Sequence, residues 1–288
     1  MKRLTTCLTP LALLALAACA TVEPPPQTVA IAFEAQVNGQ PFQCGNSYTG
    51  IGTTQSTLTP TDYRFYVSGV QLQDQNGRWV PVALAQDGTW QRDNVALLDF
   101  ENGQAPCRNG TPALNTSVRG QVPAGRYTAM RFTLGLPFEH NHGDPTTAPA
   151  PLNSTAMFWN WQGGYKFLRF DAVSNGLKPG AGEGNTGYNI HLGSTQCASA
   201  TRTQAPSACQ NSNRVDVVLN GFDPQRSRVV ADVGPLMALA NVDTNAPKTS
   251  PGCMSFPGDA DCPPVMGALG LPYGGTPAPG PQKMFSLR

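Results

Sequence analysis

Proline and glycine are spread along the whole chain and limit the secondary structure that it can form. The 288 residues include 30 Gly and 27 Pro, close to one residue in five. Because proline breaks helix interiors and glycine destabilises them, this frequency excludes long helices. Turn dipeptides such as Asn38-Gly39, Asn76-Gly77 and Asn102-Gly103 recur along the sequence. We therefore expect short strands joined by turns.

The hydrophobic residues between these turns follow the two-residue period of β-strands. In the first such segment Val29, Ile31, Phe33, Ala35 and Val37 alternate with other residues. The further strand candidates are 62–72, 78–84, 94–100, 125–134, 157–171, 187–192, 214–219 and 227–233, and only 235–241 is expected to be helical. This pattern predicts a mainly β fold, an antiparallel sandwich or barrel-like single domain with long Pro/Gly-rich loops and disulfides.

The N-terminus predicts export and a lipid anchor. Lys2 and Arg3 precede an apolar run at 8–16, which suits a signal peptide and is too short to span a membrane. The run ends in Leu16-Ala17-Ala18-Cys19, which resembles the bacterial lipobox, in which the cysteine becomes the first mature residue and carries the acyl chains. We expect a signal peptide at 1–18 and a lipidated N-terminus with a Pro-rich linker at 19–28. Ordinary cleavage that leaves Cys19 as a thiol is the alternative.

The rest of the chain has few charges and no membrane-length apolar run. Charged residues make up 13% of the chain and its net charge is +1, whereas soluble domains average about 25% charged residues. Because no basic stripe is present, nucleic acid is not an expected partner. We expect 29–288 to form one β domain, with a Pro- and Gly-rich tail at 247–288 wrapped around its surface. Ala20 follows Cys19 where an aspartate would retain the protein at the inner membrane, so outer-membrane anchoring facing the periplasm is expected.

Six cysteines remain beyond Cys19: Cys44, Cys107, Cys197, Cys209, Cys253 and Cys262. An even number in an oxidising compartment predicts three disulfides, with the pairing open. Nearness in sequence favours Cys197–Cys209 and Cys253–Cys262, which leaves Cys44–Cys107. Metal binding by thiolates is the alternative, and no C-x-x-C pair supports it.

The three histidines are candidate metal ligands. His140 and His142 form a His-x-His pair, whose rings would point to one side of an extended backbone and could bind a metal. A polar loop without a metal is the alternative. His191 ends a strand candidate shortly before Cys197, and a single histidine in such a position is often structural.

The segment 157–167 is the densest aromatic stretch of the chain. If 157–161 is extended, Met157, Trp159 and Trp161 share one face. A packed core strand is the alternative, because Trp and Met are typical core residues. No nucleophile elbow and no acid–base constellation is found, so no motif points to catalysis.

Several of these blocks together resemble a known family. They are Leu136-Pro137-Phe138, Asn141-His142-x-Asp144-Pro145, Met157-Phe158-Trp159-Asn160-Trp161-Gln162-x-Gly164-Tyr165-Lys166-Phe167 and His191-Leu192-Gly193-Ser194-Thr195-x-Cys197. This set is similar to the MbnP family, also called the four-cysteine proteins of a metallo-mystery pair. The similarity extends over roughly 31–271, and the Trp-x-Trp block is specific.

The resemblance implies a periplasmic copper-binding protein rather than an enzyme. Family members are encoded beside MbnH, a di-haem protein of the MauG/cytochrome c peroxidase superfamily. That partner oxidises the first tryptophan of the Trp-x-Trp motif to kynurenine, and Cu(I) binding depends on the change. Carried over to this sequence, Trp159 is the modified residue and Trp161 supports the site. His142 and His191 are the expected ligands, with His140 in reserve because its duplication departs from the family pattern, and Met157 as a soft neighbour.

A different class of function fits the same β domain. A lipid-anchored sandwich could bind carbohydrate or an envelope partner through exposed aromatic rings, without a metal. Trp159 and Trp161 would then face solvent. Convergence of His142, His191 and Trp159 would instead favour a copper protein with a role in copper homeostasis.

Overall fold

The computed structural model describes residues 24–176, 187–201 and 203–288. The expected signal peptide at 1–18 and Cys19 lie outside the described residues. Residues 24–26 are exposed and lead directly into the first strand. Within the described ranges, no helix is long and apolar enough to cross a membrane.

Short strands dominate the described chain, so the prediction of a mainly β single domain with disulfides is confirmed. The strands are β1 (Gln27–Val37), β2 (Gln40–Pro41), β3 (Tyr48–Ile51), β4 (Ser56–Asp74), β5 (Trp79–Pro81), β6 (Ala83–Leu84), β7 (Gln91–Arg92), β8 (Val95–Asp99), β9 (Ser117–Val122), β10 (Tyr127–Leu134), β11 (Phe158–Asn160), β12 (Gly164–Tyr165), β13 (Leu168–Ser174), β14 (Gly187–Leu192), β15 (Thr195–Cys197), β16 (Cys209–Asn211), β17 (Val215–Asn220), β18 (Val229–Asp232), β19 (Gly252–Cys253) and β20 (Phe285–Leu287).

All helices in the described ranges are short. They are α1 (Phe138–Asn141), α2 (Gly234–Met237) and α3 (Cys262–Ala268), with a single 3-10 turn at Thr155–Met157. The helix expected at 235–241 is therefore α2, which begins one residue earlier and ends sooner. Both α2 and α3 carry proline in the first turn, where its missing N–H removes no helical hydrogen bond.

Two large sheets form the sandwich. One sheet has the order β17-β10-β4-β13-β14-β19, with β3, β5 and β8 also paired to β4 and with β7 paired to β8. The other has the order β20-β18-β1-β9-β6, with β2 paired to β1. Most pairs are antiparallel, as expected, but β1–β18 and β14–β19 are parallel.

Aromatic rings fill the space between the sheets. Phe33 of β1 lies 6.0 Å from Phe65 of β4 and 5.8 Å from Phe132 of β10, measured between ring centroids. Phe285 of β20 lies 5.0 Å from Phe132. The rings of these pairs meet edge to face, an arrangement that aromatic quadrupoles favour. These contacts hold the two sheets together.

The C-terminal tail belongs to the core as well as to the surface. Strand β20 pairs with β18 and buries Phe285, and β19 extends the larger sheet beside β14. Helix α3 buries Val265 and Met266. The tail at 247–288 was expected to wrap the surface of this domain, but it also contributes strands to both sheets.

Strand β4 is buried on both faces in its middle. Tyr63 and Phe65 join the aromatic core, while alternate residues such as Arg64 and Tyr66 lie on the opposite face. Loops cover that second face, and the Tyr66 hydroxyl donates to the Pro151 carbonyl at 2.9 Å. The covered face carries buried charges and leads to the candidate site.

The described residues form three disulfides: Cys44–Cys107, Cys197–Cys209 and Cys253–Cys262. They are the pairs that the sequence favoured. Cys197–Cys209 joins β15 to β16, and Cys253–Cys262 joins β19 to α3.

Candidate metal centre

The Trp-x-Trp segment forms a tight hairpin. Strand β11 pairs with β12, and Trp161 lies in the turn between them. The turn requires Gly164, which has a φ of 75° and leaves no room for a Cβ beside the backbone of Asn141. The single strand expected at 157–171 is therefore wrong. Met157 precedes the hairpin at the end of the 3-10 turn, so it does not share an extended face with the two tryptophans.

Trp159 is half-buried between three neighbours. Its ring centroid lies 5.3 Å from that of Phe256 and 6.5 Å from that of His191. Its six-membered ring also covers Gly193, where an added Cβ would lie 2.5 Å from Cζ3 of Trp159. The indole therefore lies over the end of β14, beside one of the two expected ligands.

His191 is held in one tautomer by Asp171. Its Nε2 lies 2.5 Å from Oδ1 of Asp171, and because a carboxylate only accepts hydrogen bonds, Nε2 carries the proton. Burial lowers the pKa of His191, although the bond to Asp171 opposes this effect. The imidazole is therefore neutral near pH 7, and its Nδ1 has the free lone pair. No described residue donates a hydrogen bond to that atom.

Asp171 lies beside a row of mostly buried ionisable side chains, here called the buried charge row. In the strand register Asp99, Arg64, Arg169 and His191 lie directly opposite one another across β8, β4, β13 and β14. Directly paired residues of antiparallel strands point to the same face of a sheet, so these side chains form one cross-strand row. The row begins in β8 and reaches the candidate site at His191.

Asp62 links the two arginines of this row. Its Oδ2 lies 2.5 Å from Nη2 of Arg64 and 3.2 Å from Nε of Arg169. Nη2 of Arg169 lies 2.6 Å from Oδ2 of Asp171. Burial opposes ionisation of Asp171, but hydrogen bonds from His191 and Arg169 lower its pKa to about 2. The network thus keeps a carboxylate behind His191 at neutral pH and fixes its position.

Two cations bind the segment that leads into the hairpin. Lys166 Nζ and Arg169 Nη1 each donate to the Ala156 carbonyl at 2.9 Å. Burial lowers the pKa of Lys166 to about 8. These contacts attach the 3-10 turn before Trp159 to the buried charge row.

His142 contacts the turn of the hairpin and is also held in one tautomer. Its Nδ1 is 3.0 Å from the Trp161 carbonyl oxygen, so Nδ1 carries the proton and Nε2 the lone pair. Nε2 accepts from Asn141 Nδ2 at 3.1 Å and lies 3.5 Å from Cys209 Sγ. Burial lowers the pKa of His142, although the bond to Trp161 acts in the opposite direction.

Asn141 connects these parts. Besides its contact with His142, its Nδ2 donates to Ser194 Oγ at 3.3 Å and its Oδ1 accepts from the Tyr165 N–H at 2.9 Å. His142, the hairpin and the residues after β14 therefore form one hydrogen-bonded cluster. The two imidazoles approach it at different points, His191 beside the Trp159 ring and His142 at the Trp161 backbone.

The structure does not place His140 or Met157 in this cluster. His140 and His142 lie at the end of α1, and residues two apart on a helical turn do not face the same way. His140 points to exposed Asp93, with Nε2 3.8 Å from Oδ2. Met157 is fully buried in the core cluster. The His-x-His prediction is therefore wrong about the two rings sharing one side, and Met157 is a core residue.

The family model MbnP matches residues 26–255. The chain belongs to the MbnP family. A solved structure described as MbnP from Methylosinus trichosporium has 32% sequence identity and a TM-score of 0.80, and the match covers 92% of this chain and 99% of that chain. A comparison with curated proteins gives no match. The resemblance is confirmed, and family membership supports the general interpretation as a copper-binding protein.

Several residues of this MbnP-family site were not anticipated. Asp171 and Phe256 contact His191 and Trp159 but did not stand out in the sequence. Asn141 and Gly193 lie within the family-like blocks, but no role was expected of either. A signal existed for Asp171, because it alternates with apolar residues of β13 and so marks a polar face. The strand register that brings it to His191 was not visible in the sequence.

In this MbnP-family chain, a disulfide also lies close to His142. One nitrogen of His142 and the sulfurs of Cys197 and Cys209 all lie within 4.8 Å of one another. In the disulfide the sulfurs are not thiolates, which are the metal-binding form of cysteine. The oxidised pair therefore leaves His142 as the ligand-bearing residue of this group.

Proposed function

We propose that this MbnP-family member is a periplasm-facing lipoprotein that binds a single copper ion, as Cu(I), at a site formed by His191, His142 and oxidised Trp159. It serves copper homeostasis by binding the ion, not by catalysis. The observation that carries the proposal is the position of the His191 imidazole, whose Nε2 donates to Asp171 and whose ring lies beside Trp159.

The donor set fits copper. Imidazole nitrogens suit copper, and metal-binding histidines usually donate their other N–H to a carboxylate or a carbonyl. His191 donates to Asp171 and His142 donates to the Trp161 carbonyl, so each keeps one lone pair. Binding through His142 requires its Nε2 to exchange the Asn141 amide for the ion.

Oxidation of Trp159 would supply what the unmodified site lacks. An indole has one N–H donor and no acceptor, whereas kynurenine has a ketone and an aromatic amine. Trp159 is half-buried beside a cleft of about 480 Å³ lined in part by Asn160, Phe256 and Cys197. We propose that an MbnH-type di-haem protein supplies the oxidation and that Trp161 supports the site by orienting His142.

The lipid anchor is part of the same proposal. Lipidation of Cys19 would hold the domain at the outer membrane, facing the periplasm, where a haem protein and copper could both reach Trp159. A Cys19→Ala variant that is still fully oxidised and metallated in cells would show that the anchor is dispensable for loading.

Co-expression tests the proposal. The chain is produced with an active di-haem partner and, as a control, with a partner that lacks haem. Peptide mass spectrometry should detect one oxygen gained and one carbon lost at Trp159, and metal analysis should find one copper per chain, only with the active partner. Unmodified Trp159 together with absent copper would contradict the proposal.

Variants of the three histidines test which of them bind copper. His191→Gln and His142→Gln should each lower the copper content of the co-expressed protein. His140→Gln is the matched control, since His140 faces Asp93, and should retain copper. Equal losses in all three variants would argue against the assignment.

The carbohydrate-binding alternative receives less support. A flat sugar platform needs exposed rings, whereas Trp159 and Trp161 are both half-buried. Trp161 packs edge-on against Phe158 at 6.4 Å between ring centroids.

A further inference from the structure

The disulfide beside His142 has the composition of a thiolate metal site. Cys197 and Cys209 lie directly opposite each other in the β15–β16 pair, and Nε2 of His142 lies 3.5 Å from Sγ of Cys209. Nε2 of His142 also has its lone pair free of a proton, because Nδ1 donates to Trp161. Two sulfurs and one imidazole nitrogen thus meet at one point.

We propose that the Cys197–Cys209 disulfide is a latent metal site, which on reduction binds a thiophilic ion of tetrahedral preference, with Zn²⁺ as the type, through Cys197, Cys209 and His142. The fourth position is left to solvent. This inference does not rest on the proposed function, since it requires neither oxidation of Trp159 nor a haem partner.

The spacing of the nitrogen and one sulfur already suits such an ion. Zinc bonds to nitrogen are about 2.0 Å and to sulfur about 2.3 Å, so a tetrahedral angle places the two ligand atoms about 3.5 Å apart. The separation of His142 Nε2 and Cys209 Sγ is 3.5 Å. By the same bond lengths the two sulfurs must lie about 3.8 Å apart. A disulfide holds them at about 2.0 Å, so reduction and a small side-chain rotation are required.

The backbone keeps the two cysteines together without the disulfide. The hairpin is also held by the Ala198 N–H donating to the Ala208 carbonyl at 2.7 Å, and by Asn211 Nδ2 donating to Thr195 Oγ1 at 3.1 Å. Cys209 is half-buried, and Cys197 borders the cleft beside Trp159. A reductant can therefore reach the pair, and the thiols stay adjacent after reduction.

The chemistry balances with a dithiol as the reductant. The dithiol gives two electrons and two protons to the Cys197–Cys209 bond, becoming a disulfide while two protein thiols form. The metal ion then displaces one proton from each thiol and takes the lone pair of His142. Because His142 also belongs to the proposed copper site, the redox state of this disulfide would decide which site holds that imidazole.

Cobalt titration of the reduced chain tests the site. The purified chain, expressed without a haem partner, is reduced with a dithiol, freed of reductant under anaerobic conditions and titrated with Co²⁺. We expect one Co²⁺ per chain, with thiolate-to-cobalt charge-transfer absorption and tetrahedral d–d bands that Zn²⁺ abolishes. The unreduced chain should show none of these bands.

Matched variants assign the ligands. Cys197→Ser/Cys209→Ser should lose the charge-transfer bands, and His142→Gln should weaken Co²⁺ binding by about tenfold or more, since even loss of a residue that only orients a ligand costs about 10–100-fold. Cys44→Ser/Cys107→Ser and His140→Gln should bind as the reduced parent does.

Three results would overturn the inference: no thiolate bands in the reduced parent, bands that survive in Cys197→Ser/Cys209→Ser, or unchanged affinity in His142→Gln. Circular dichroism accompanies each titration. Loss of the β signal on reduction of the parent would also overturn it, because the site requires the folded hairpin. Absent copper or unmodified Trp159 in the co-expression experiment would leave this result unaffected.

Discussion

Nε2 of His191 lies 2.5 Å from Oδ1 of Asp171, and this contact determines which nitrogen of His191 can bind a metal. The carboxylate accepts a hydrogen bond from the Nε2 proton, so Nδ1 keeps its lone pair. Arg169 in turn holds Asp171 at 2.6 Å and shares Asp62 with Arg64. The orientation of one candidate ligand thus depends on charged side chains of both β13 and β4.

Asp171→Asn is expected to weaken copper binding. An amide can still accept from Nε2, but it has no negative charge, and such orienting partners are typically worth about 10–100-fold in metal affinity. The measurement is competition with a Cu(I) chelator, using protein co-expressed with the di-haem partner. Asp216→Asn is the control, because Asp216 is exposed and its carboxylate accepts a hydrogen bond from Thr133 at the surface. Unchanged affinity in Asp171→Asn, with an unchanged unfolding midpoint, would contradict this role.

Gly193→Ala is expected to displace Trp159. The added Cβ would lie 2.5 Å from Cζ3 of Trp159 and 2.8 Å from the Tyr165 carbonyl oxygen. The Tyr165 backbone cannot shift easily, so the indole must move. We expect this to lower the free energy of unfolding by about 1–3 kcal/mol. Urea unfolding measures that cost, and peptide mass spectrometry should find less oxidised Trp159 after co-expression. Gly143→Ala should alter neither quantity, since no atom lies within 4 Å of the added Cβ.

The family, the fold class and the disulfide pairs could be anticipated from the sequence, because they depend on local patterns. Alternation predicted β1, and cysteine spacing favoured Cys197–Cys209. The arrangement of the site could not be anticipated, since it depends on the register of β13 against β14, which pairs Arg169 with His191. A short helical turn leaves no clear periodic signal in the sequence. The turn α1 makes the rings of His140 and His142 face different ways.

Phe285→Ala tests whether the C-terminal tail stabilises the core. Phe285 is buried, with its ring 5.6 Å from Phe65 and 5.0 Å from Phe132. Truncating a buried phenylalanine typically costs about 3–5 kcal/mol. Chemical unfolding should therefore show a much lower midpoint. Leu239→Ala is the control, because Leu239 is 76% exposed and should change stability little. Similar midpoints for the two variants would mean that the tail is not part of the cooperative core.

Asp99→Asn is expected to change how stability depends on pH. Asp99 begins the buried charge row, and burial raises its pKa to about 7, with the Glu101 and Asp62 carboxylates adding to the effect and Arg64 opposing it. The unfolded carboxyl titrates near pH 4, so between about pH 4 and 7 the folded state binds more protons, and this group makes the protein less stable as pH rises. An amide does not titrate. Between pH 5 and pH 8 the free energy of unfolding of Asp99→Asn should therefore rise relative to that of the parent by on the order of 2 kcal/mol. Urea unfolding at both pH values measures the gain, with exposed Asp216→Asn as the control. A pH-independent difference between Asp99→Asn and the parent would show that Asp99 is ionised throughout, held by Arg64.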